Sequence, residues 1–183
     1  MESTQLSTSV TVKKYRSLKN DGKWHDIADF IYERFRERYL EPFENNPAKH
    51  GFSMAAIGCL MIESLHSFRK GWKRTGGKCG EAFEEFFTTS KFLSEFSGIG
   101  NDFYSSVRCG ILHQAETYNG WKVLRKGALV DKSNKTLNAT KFLIELDKEL
   151  KNYVDELKAN QPKSDIWKKA IRKLDHICAN SNE

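Results

Sequence analysis

The chain has 183 residues, of which 39% are hydrophobic and 12% aromatic, with only three prolines. That size and composition exclude a disordered or collagen-like chain and point to one folded domain. Thirty Lys and Arg against 24 Asp and Glu give a net charge of +6 and a pI near 9.1. Two stretches carry that charge. Ser64 to Gly80 holds Arg69, Lys70, Lys73, Arg74 and Lys78 with no acid; Tyr118 to Lys135 holds Lys122, Arg125, Lys126, Lys132 and Lys135 against Asp131 alone.

From the N-terminus, Met1 to Val12 is polar and rich in Ser and Thr. It lacks the apolar stretch of a signal peptide, so residues 1–20 read as a flexible leader and 21–180 as a single helical domain. No run of 18 apolar residues occurs, so no membrane span and no membrane partner are expected. Lys23 to Leu40 has Ile27, Phe30, Ile31, Phe35 and Tyr39 at helical spacing, with Asp21 placed to cap its start and Pro42 to end it. Asn45-Asn46-Pro47 reads as a turn. Phe52 to Trp72 is the most apolar helix, expected at the centre of a bundle, with Gly76-Gly77 breaking the chain after it. Glu81 to Phe96 carries an aromatic stripe suited to core packing, and a fourth helix runs from Asn101 or Asp102 to about Glu116.

Gly120 to Val130 differs in kind. Trp121 to Leu124 and Ala128 to Val130 flank Lys126-Gly127 and read as a short β-hairpin. Helices over Thr140–Lys158, with Leu143, Leu146, Leu150, Val154 and Leu157 on one stripe, and from Ser164 onward, with Trp167, Ile171, Leu174 and Ile177 inward, complete the chain. The fold class is therefore all-α: an up-and-down bundle of five to six helices with a hairpin inserted near 120–130.

Cys59, Cys79, Cys109 and Cys178 are scattered, and no pair has zinc-ligand spacing, so no metal and no cofactor are expected. With no export signal, a cytoplasmic location with reduced thiols follows. Phosphate-cradling and dinucleotide motifs are absent from the sequence, as are those of zinc proteases and serine hydrolases.

What carries chemistry is Arg108-Cys109-Gly110-Ile111-Leu112-His113. Histidine titrates near neutrality and serves for proton transfer; arginine stays charged and its fork matches phosphate oxygens. Metal-free RNA cleavage needs a base for the 2′-hydroxyl, a cation for the phosphate and an acid for the leaving oxygen. On an ideal helix, residues five apart lie roughly 140° around and about 7.5 Å along the axis, so one copy of the pair is poorly arranged to act alone. Two copies meeting at a dimer axis would supply acid, base and clamp together, with Gly110 allowing close packing against a second helix, that of another protomer included. Glu63 is placed to pair with Arg108 from across the bundle. In the competing reading Arg108 serves only in that salt bridge and His113 only caps the helix end.

An Arg-x4-His pair on a helix, set after an apolar helix, an aromatic helix and a glycine turn, resembles the HEPN superfamily; Phe103 to Thr117 followed by Gly120-Trp121 resembles its uncharacterised bacterial members. The resemblance implies a metal-independent endoribonuclease, in toxin–antitoxin or other bacterial defence, with Arg108 and His113 as the catalytic pair of a homodimer. Cys109 stands where active members often have a polar residue. Around the pair, Glu63, Tyr104, Gln114 and Glu116 are candidates for orienting the imidazole or the substrate. Lys122, Arg125, Lys126, Arg69, Lys70, Lys73 and Arg74 are candidates for contacting RNA. The alternative is a non-catalytic module that binds RNA or a cognate protein.

Overall fold

A computed structural model describes residues 3–44, 48 and 50–181; the turn expected at Asn45-Asn46-Pro47 lies outside the described residues. The protein is 65% helical with a small three-stranded sheet. Its backbone divides into two compact units. Unit 1 combines residues 1–42, 67–74 and 150–183; unit 2 combines 43–66 and 75–149.

In unit 1 the expected leader carries a helix, α1 (Val12–Asn20). The Thr11 hydroxyl accepts a hydrogen bond from Lys14 N–H at 3.1 Å and caps its start. Val12, Tyr15 and Leu18, spaced three residues apart, are buried, as are Leu6 and Val10 ahead of them. The polar look of the segment comes from the residues between those anchors. Helix α2 (Trp24–Phe35) follows and runs into a π-helical turn over Arg36–Leu40. Asp21 ends α1 rather than capping α2. Tyr15 packs on Phe30 and Phe35 on Phe68, with ring centroids 6.3 and 5.4 Å apart.

Helix α3 (Gly51–Lys70) is shared between the units by sequence. By length and composition it is the one helix among the described residues able to cross a membrane, yet Met54, Ala55, Cys59, Met61, Ile62 and Leu65 are buried within the protein. It is not buried all round: Phe52 and Leu60 are 37% and 40% exposed. The helix ends at Lys70, two residues before the expected Trp72, and the stop signal is Gly71. Gly71 has φ +66°, its N–H bonds Phe68 C=O, and Trp72 N–H bonds Ser67 C=O at 2.9 Å, a Schellman closure.

Unit 2 opens its second segment with α4 (Cys79–Thr89), which ends seven residues before the expected Phe96. Ser90 is extended, and its hydroxyl accepts the N–H of Leu93 at 2.9 Å while donating to the buried Glu149 carboxylate at 2.8 Å. These bonds stand in for helical ones and turn the chain. Phe83, Phe87, Phe96, Phe103 and Phe142 form a continuous aromatic core, with Phe87 and Phe96 stacked at 4.8 Å.

The fourth expected helix is a composite. It is α5 (Gly100–Phe103), a π-helical turn over Tyr104–Arg108, and α6 (Cys109–Gln114). Its first residue lies so close to α4 that a Cβ on Gly100 would sit 2.4 Å from Glu84 Cα.

The inserted hairpin is placed differently from expectation. Strand β1 (Lys122–Leu124) pairs in parallel with β3 (Thr136–Asn138), and β3 pairs antiparallel with β2 (Val130–Asp131), giving the order β1-β3-β2. The tight turn lies between β2 and β3. There the Asp131 carboxylate accepts the backbone N–H and side-chain amide of Asn134, and Lys135 takes φ +50°. Gly127, at φ +96°, turns a loop rather than a hairpin.

Asn138 caps α7 (Ala139–Ala159), accepting Lys141 N–H at 3.1 Å. Within unit 2, α3 and α7 approach at Gly58, where a Cβ would lie 2.5 Å from the Phe142 ring. The last helix, α8 (Asp165–Ala179), buries Trp167, Ala170, Leu174 and Cys178, so its inward face is rotated from the expected Trp167-Ile171-Leu174-Ile177 stripe, leaving Ile171 and Ile177 half-buried. Trp167 stacks edge-on against Trp24 at 5.4 Å and donates its indole N–H to Leu157 C=O at 2.8 Å.

Candidate functional site

Arg108 closes the π-helical turn, and His113 sits in the last turn of α6. The wide turn sets Arg108 against α3, where its Nε–H donates to Glu63 Oε1 at 2.8 Å. Both side chains are largely shielded, 18% and 15% exposed. The guanidinium lies over the Tyr104 ring, 5.5 Å from its centroid. Burial opposes the charge, but the hydrogen bond and charge of Glu63 outweigh it and hold the Arg108 pKa above its ordinary value. Among the described residues only Nε of this guanidinium is hydrogen-bonded; Nη1 and Nη2 make no hydrogen bond.

Tyr104 is itself anchored on the aromatic core, 5.4 Å from Phe83. Burial, and hydrogen bonds with Cys79 and Cys109, push its phenol well above the usual range. Cys109 lies beside Tyr104 and is half-buried. Cys59, one turn before Glu63 on α3, is fully buried, and burial raises its thiol pKa.

His113 is exposed and, among the described residues, has no hydrogen-bond partner. The helix ends one residue later, at Gln114, and Ala115 after it takes the left-handed conformation at φ +58°. The chain then folds back over Gly110. A Cβ there would lie 2.7 Å from Glu116 C=O and 3.0 Å from Thr117 Cα. The close approach anticipated at Gly110 is thus met by the chain's own return loop, not by a second helix. Tyr118 N–H bonds Ser106 C=O at 2.8 Å and fastens that loop.

A carboxylate not singled out as functional organises this return. Asp102 accepts the Ser106 hydroxyl at 2.8 Å and the Trp121 indole N–H at 2.9 Å, with Lys135 3.8 Å away. Burial would raise its pKa; the two hydrogen bonds and the lysine outweigh burial and lower it. An Asp followed by Ser four residues on is a same-face helical pair, the one signal of this network in the sequence.

The other expected site residues separate into groups. Gln114 donates to the carbonyls of Glu116 and Thr117, and Glu116 accepts Thr117 N–H at 2.8 Å, so both are used in the return loop. In unit 2, Lys122 and Lys126 are exposed, while Arg125 is half-buried and bonds Thr140 Oγ1 at 3.2 Å and Ala48 C=O. Arg69, Lys70, Lys73 and Arg74 belong to unit 1. There Arg69 pairs with Glu156 at 2.8 Å and covers the Tyr153 ring, whereas Lys73 and Arg74 are exposed. His66 is buried on α3, with Nε2 3.3 Å from Glu85 Oε2. Among the described residues no cluster of His, Cys, Asp or Glu is arranged to hold a metal ion.

Leu112, beside His113, is 58% exposed, and Leu60, one turn from Glu63 on α3, is 40% exposed. Arg108 is thus a half-buried anchored cation, and His113, Leu112 and Leu60 are exposed side chains on the same two helical stretches. No protein-family model matches this chain, and neither does any curated protein or solved structure.

Proposed function

We propose that the protein is a metal-independent endoribonuclease of HEPN type whose active centre is completed by a second copy of the chain. The observation that carries the reading is the guanidinium of Arg108. Glu63 and Tyr104 fix its orientation through Nε and the ring face, and among the described residues its terminal nitrogens make no hydrogen bond. That is how an arginine is presented for two-point binding of a phosphate. His113, on the same helix and exposed, is free to move a proton. In this mechanism one imidazole takes the 2′-hydroxyl proton, the 2′-oxygen attacks the adjacent phosphorus, and the Arg108 pair stabilises the charge on the phosphate. The second imidazole protonates the departing 5′-oxygen, leaving a 2′,3′-cyclic phosphate. The exposed Leu60 and Leu112 supply apolar surface for the dimer contact.

One observation favours the alternative, a non-catalytic module: the charge of Arg108 is already partly offset by Glu63. Cleavage of single-stranded RNA in EDTA separates the two. Arg108→Ala and His113→Ala each abolish it with the helical content intact, and a DNA strand of the same sequence is not cut. Leu112→Glu shifts the protein toward monomer in light scattering and removes cleavage with it. Turnover that needed Mg²⁺, or that survived His113→Ala, would sink the proposal.

A further inference from the structure

The net positive charge of the chain lies in one unit. Unit 1 contains 19 Lys and Arg against 12 Asp and Glu, a surplus of seven; unit 2 contains 11 against 12, a deficit of one. The Arg108 site is therefore in the unit that attracts polyanions less.

Within unit 1 the surplus gathers on α8 and the turn after α3. Gly71 seats that turn directly on α8, its position for a Cβ only 3.0 Å from Lys169 Cα. Lys173 then donates to Lys73 C=O at 3.1 Å. The result is an open groove of about 530 Å³ lined by Lys73, Lys168, Arg172 and His176, with Ile171 in its wall. A second groove shares Asp175 and Ala179 with it and continues to Arg16 and Lys19 on α1.

The acids on this face are occupied. Asp175 accepts Lys19 at 2.7 Å and the Tyr15 hydroxyl at 2.8 Å, and Asp165 is paired with Lys169 at 2.5 Å. Among the described residues Lys73, Arg74, Lys168 and Arg172 make no ion pair. Loss of hydration and the nearby charges of Lys173, Lys73 and Arg74 hold the His176 imidazole below its ordinary pKa, while Asp165 also feels the charges of Lys168 and Arg172. Lys168, Arg172 and His176 recur every four residues along α8, about 6 Å per step. That row is too long for one phosphate and suits a chain of them.

We infer that this face of unit 1, from Lys73 and α8 toward Arg16, is a binding track for the sugar–phosphate backbone of a nucleic acid. The assignment stands apart from the nuclease reading, because it needs neither Arg108 nor His113. The probe is a fluorescein-labelled 2′-O-methyl oligouridylate, which keeps the phosphates but lacks the 2′-hydroxyl that cleavage requires. Anisotropy titrations between about 50 and 200 mM salt compare the wild type, Lys168→Ala/Arg172→Ala and, on exposed lysines of unit 2, Lys141→Ala/Lys148→Ala. The α8 double variant is expected to bind roughly tenfold more weakly, and its plot of log affinity against log salt to flatten by about 1.4, or 0.7 per lost phosphate contact. The unit 2 variant is expected to bind like the wild type. Unchanged affinity and slope in the α8 variant would overturn the track, as would binding to phosphatidylserine vesicles without binding to the oligonucleotide. Failure of the nuclease reading alone leaves these titrations unchanged.

Discussion

Arg108 and Glu63 form the shielded ion pair around which the site is built, and their coupling is measurable. Removing Glu63 leaves a half-buried guanidinium without its acceptor, so Glu63→Ala is expected to lower stability by about 2 kcal/mol, the range for hydrogen bonds to charged groups. In Glu63→Ala/Arg108→Ala the loss should be smaller than the sum of the single losses, as urea denaturation of all four proteins would show. An additive double variant would mean that the pair contributes nothing beyond its separate side chains. The Arg-x4-His spacing and the reach of Glu63 were legible from residue type and helical periodicity alone. The openness of the Nη atoms, the contacts of Tyr104 with two thiols and the bonds of Asp102 to Ser106 and Trp121 were not. Those depend on where a loop returns, and no local pattern encodes that.

Among the elements, the long helices were readable because their apolar residues repeat at the helical period; Leu143, Leu146, Leu150, Val154 and Leu157 of α7 are all buried. The sheet was misread for a physical reason. Neighbouring strands usually pair with each other, but here β1 takes β3 as its parallel partner and leaves β2 on the far side. The local signal of the true turn is the Asx pair Asp131 and Asn134, whereas Lys126-Gly127 marks a loop. Helix contact is tested at Gly58. Gly58→Ala gains about 1 kcal/mol of helix propensity but drives a methyl into the Phe142 ring, itself held by Phe96 and Phe103. Overpacking of this kind outweighs the gain, so the variant is expected to lose about 1–2 kcal/mol in thermal or urea unfolding. A more stable Gly58→Ala would mean that the ring yields.

At the scale of the whole molecule, folding lowers the pKa values of five of the described carboxylates: Asp131 and Asp165, at the surface, and Glu37, Glu84 and Asp102, each held by hydrogen bonds. In the last three, burial opposes the charge and is outweighed by hydrogen bonds: from Thr8 to Glu37, from the N–H groups of Gly98 and Gly100 to Glu84, and from Trp121 and Ser106 to Asp102. A depressed carboxylate pKa contributes stability that is present above its unfolded value, near 4, and is lost as pH falls through the folded one. Stability is therefore expected to hold near neutrality and to decline below about pH 4, and Glu84→Gln should make that acid limb shallower in a series of denaturation curves. An unaltered limb would place the acid sensitivity elsewhere. The uneven charge of the two units could not be seen from the sequence, because unit 1 is assembled from three separated segments. Read linearly, the basic run after His113 looked as important as the one before it.

The π-helical turn over Tyr104–Arg108 amounts to one residue spliced into an otherwise regular helix. It divides the helix into two registers: Phe103 and what precedes it answer to the aromatic core, while Arg108 to His113 answer to α3 and the outside. Excising one residue from the turn would merge those registers and rotate Arg108 and His113 by about 100° relative to the core. The phase of Arg108 and His113 can thus be changed by length alone, with neither residue altered.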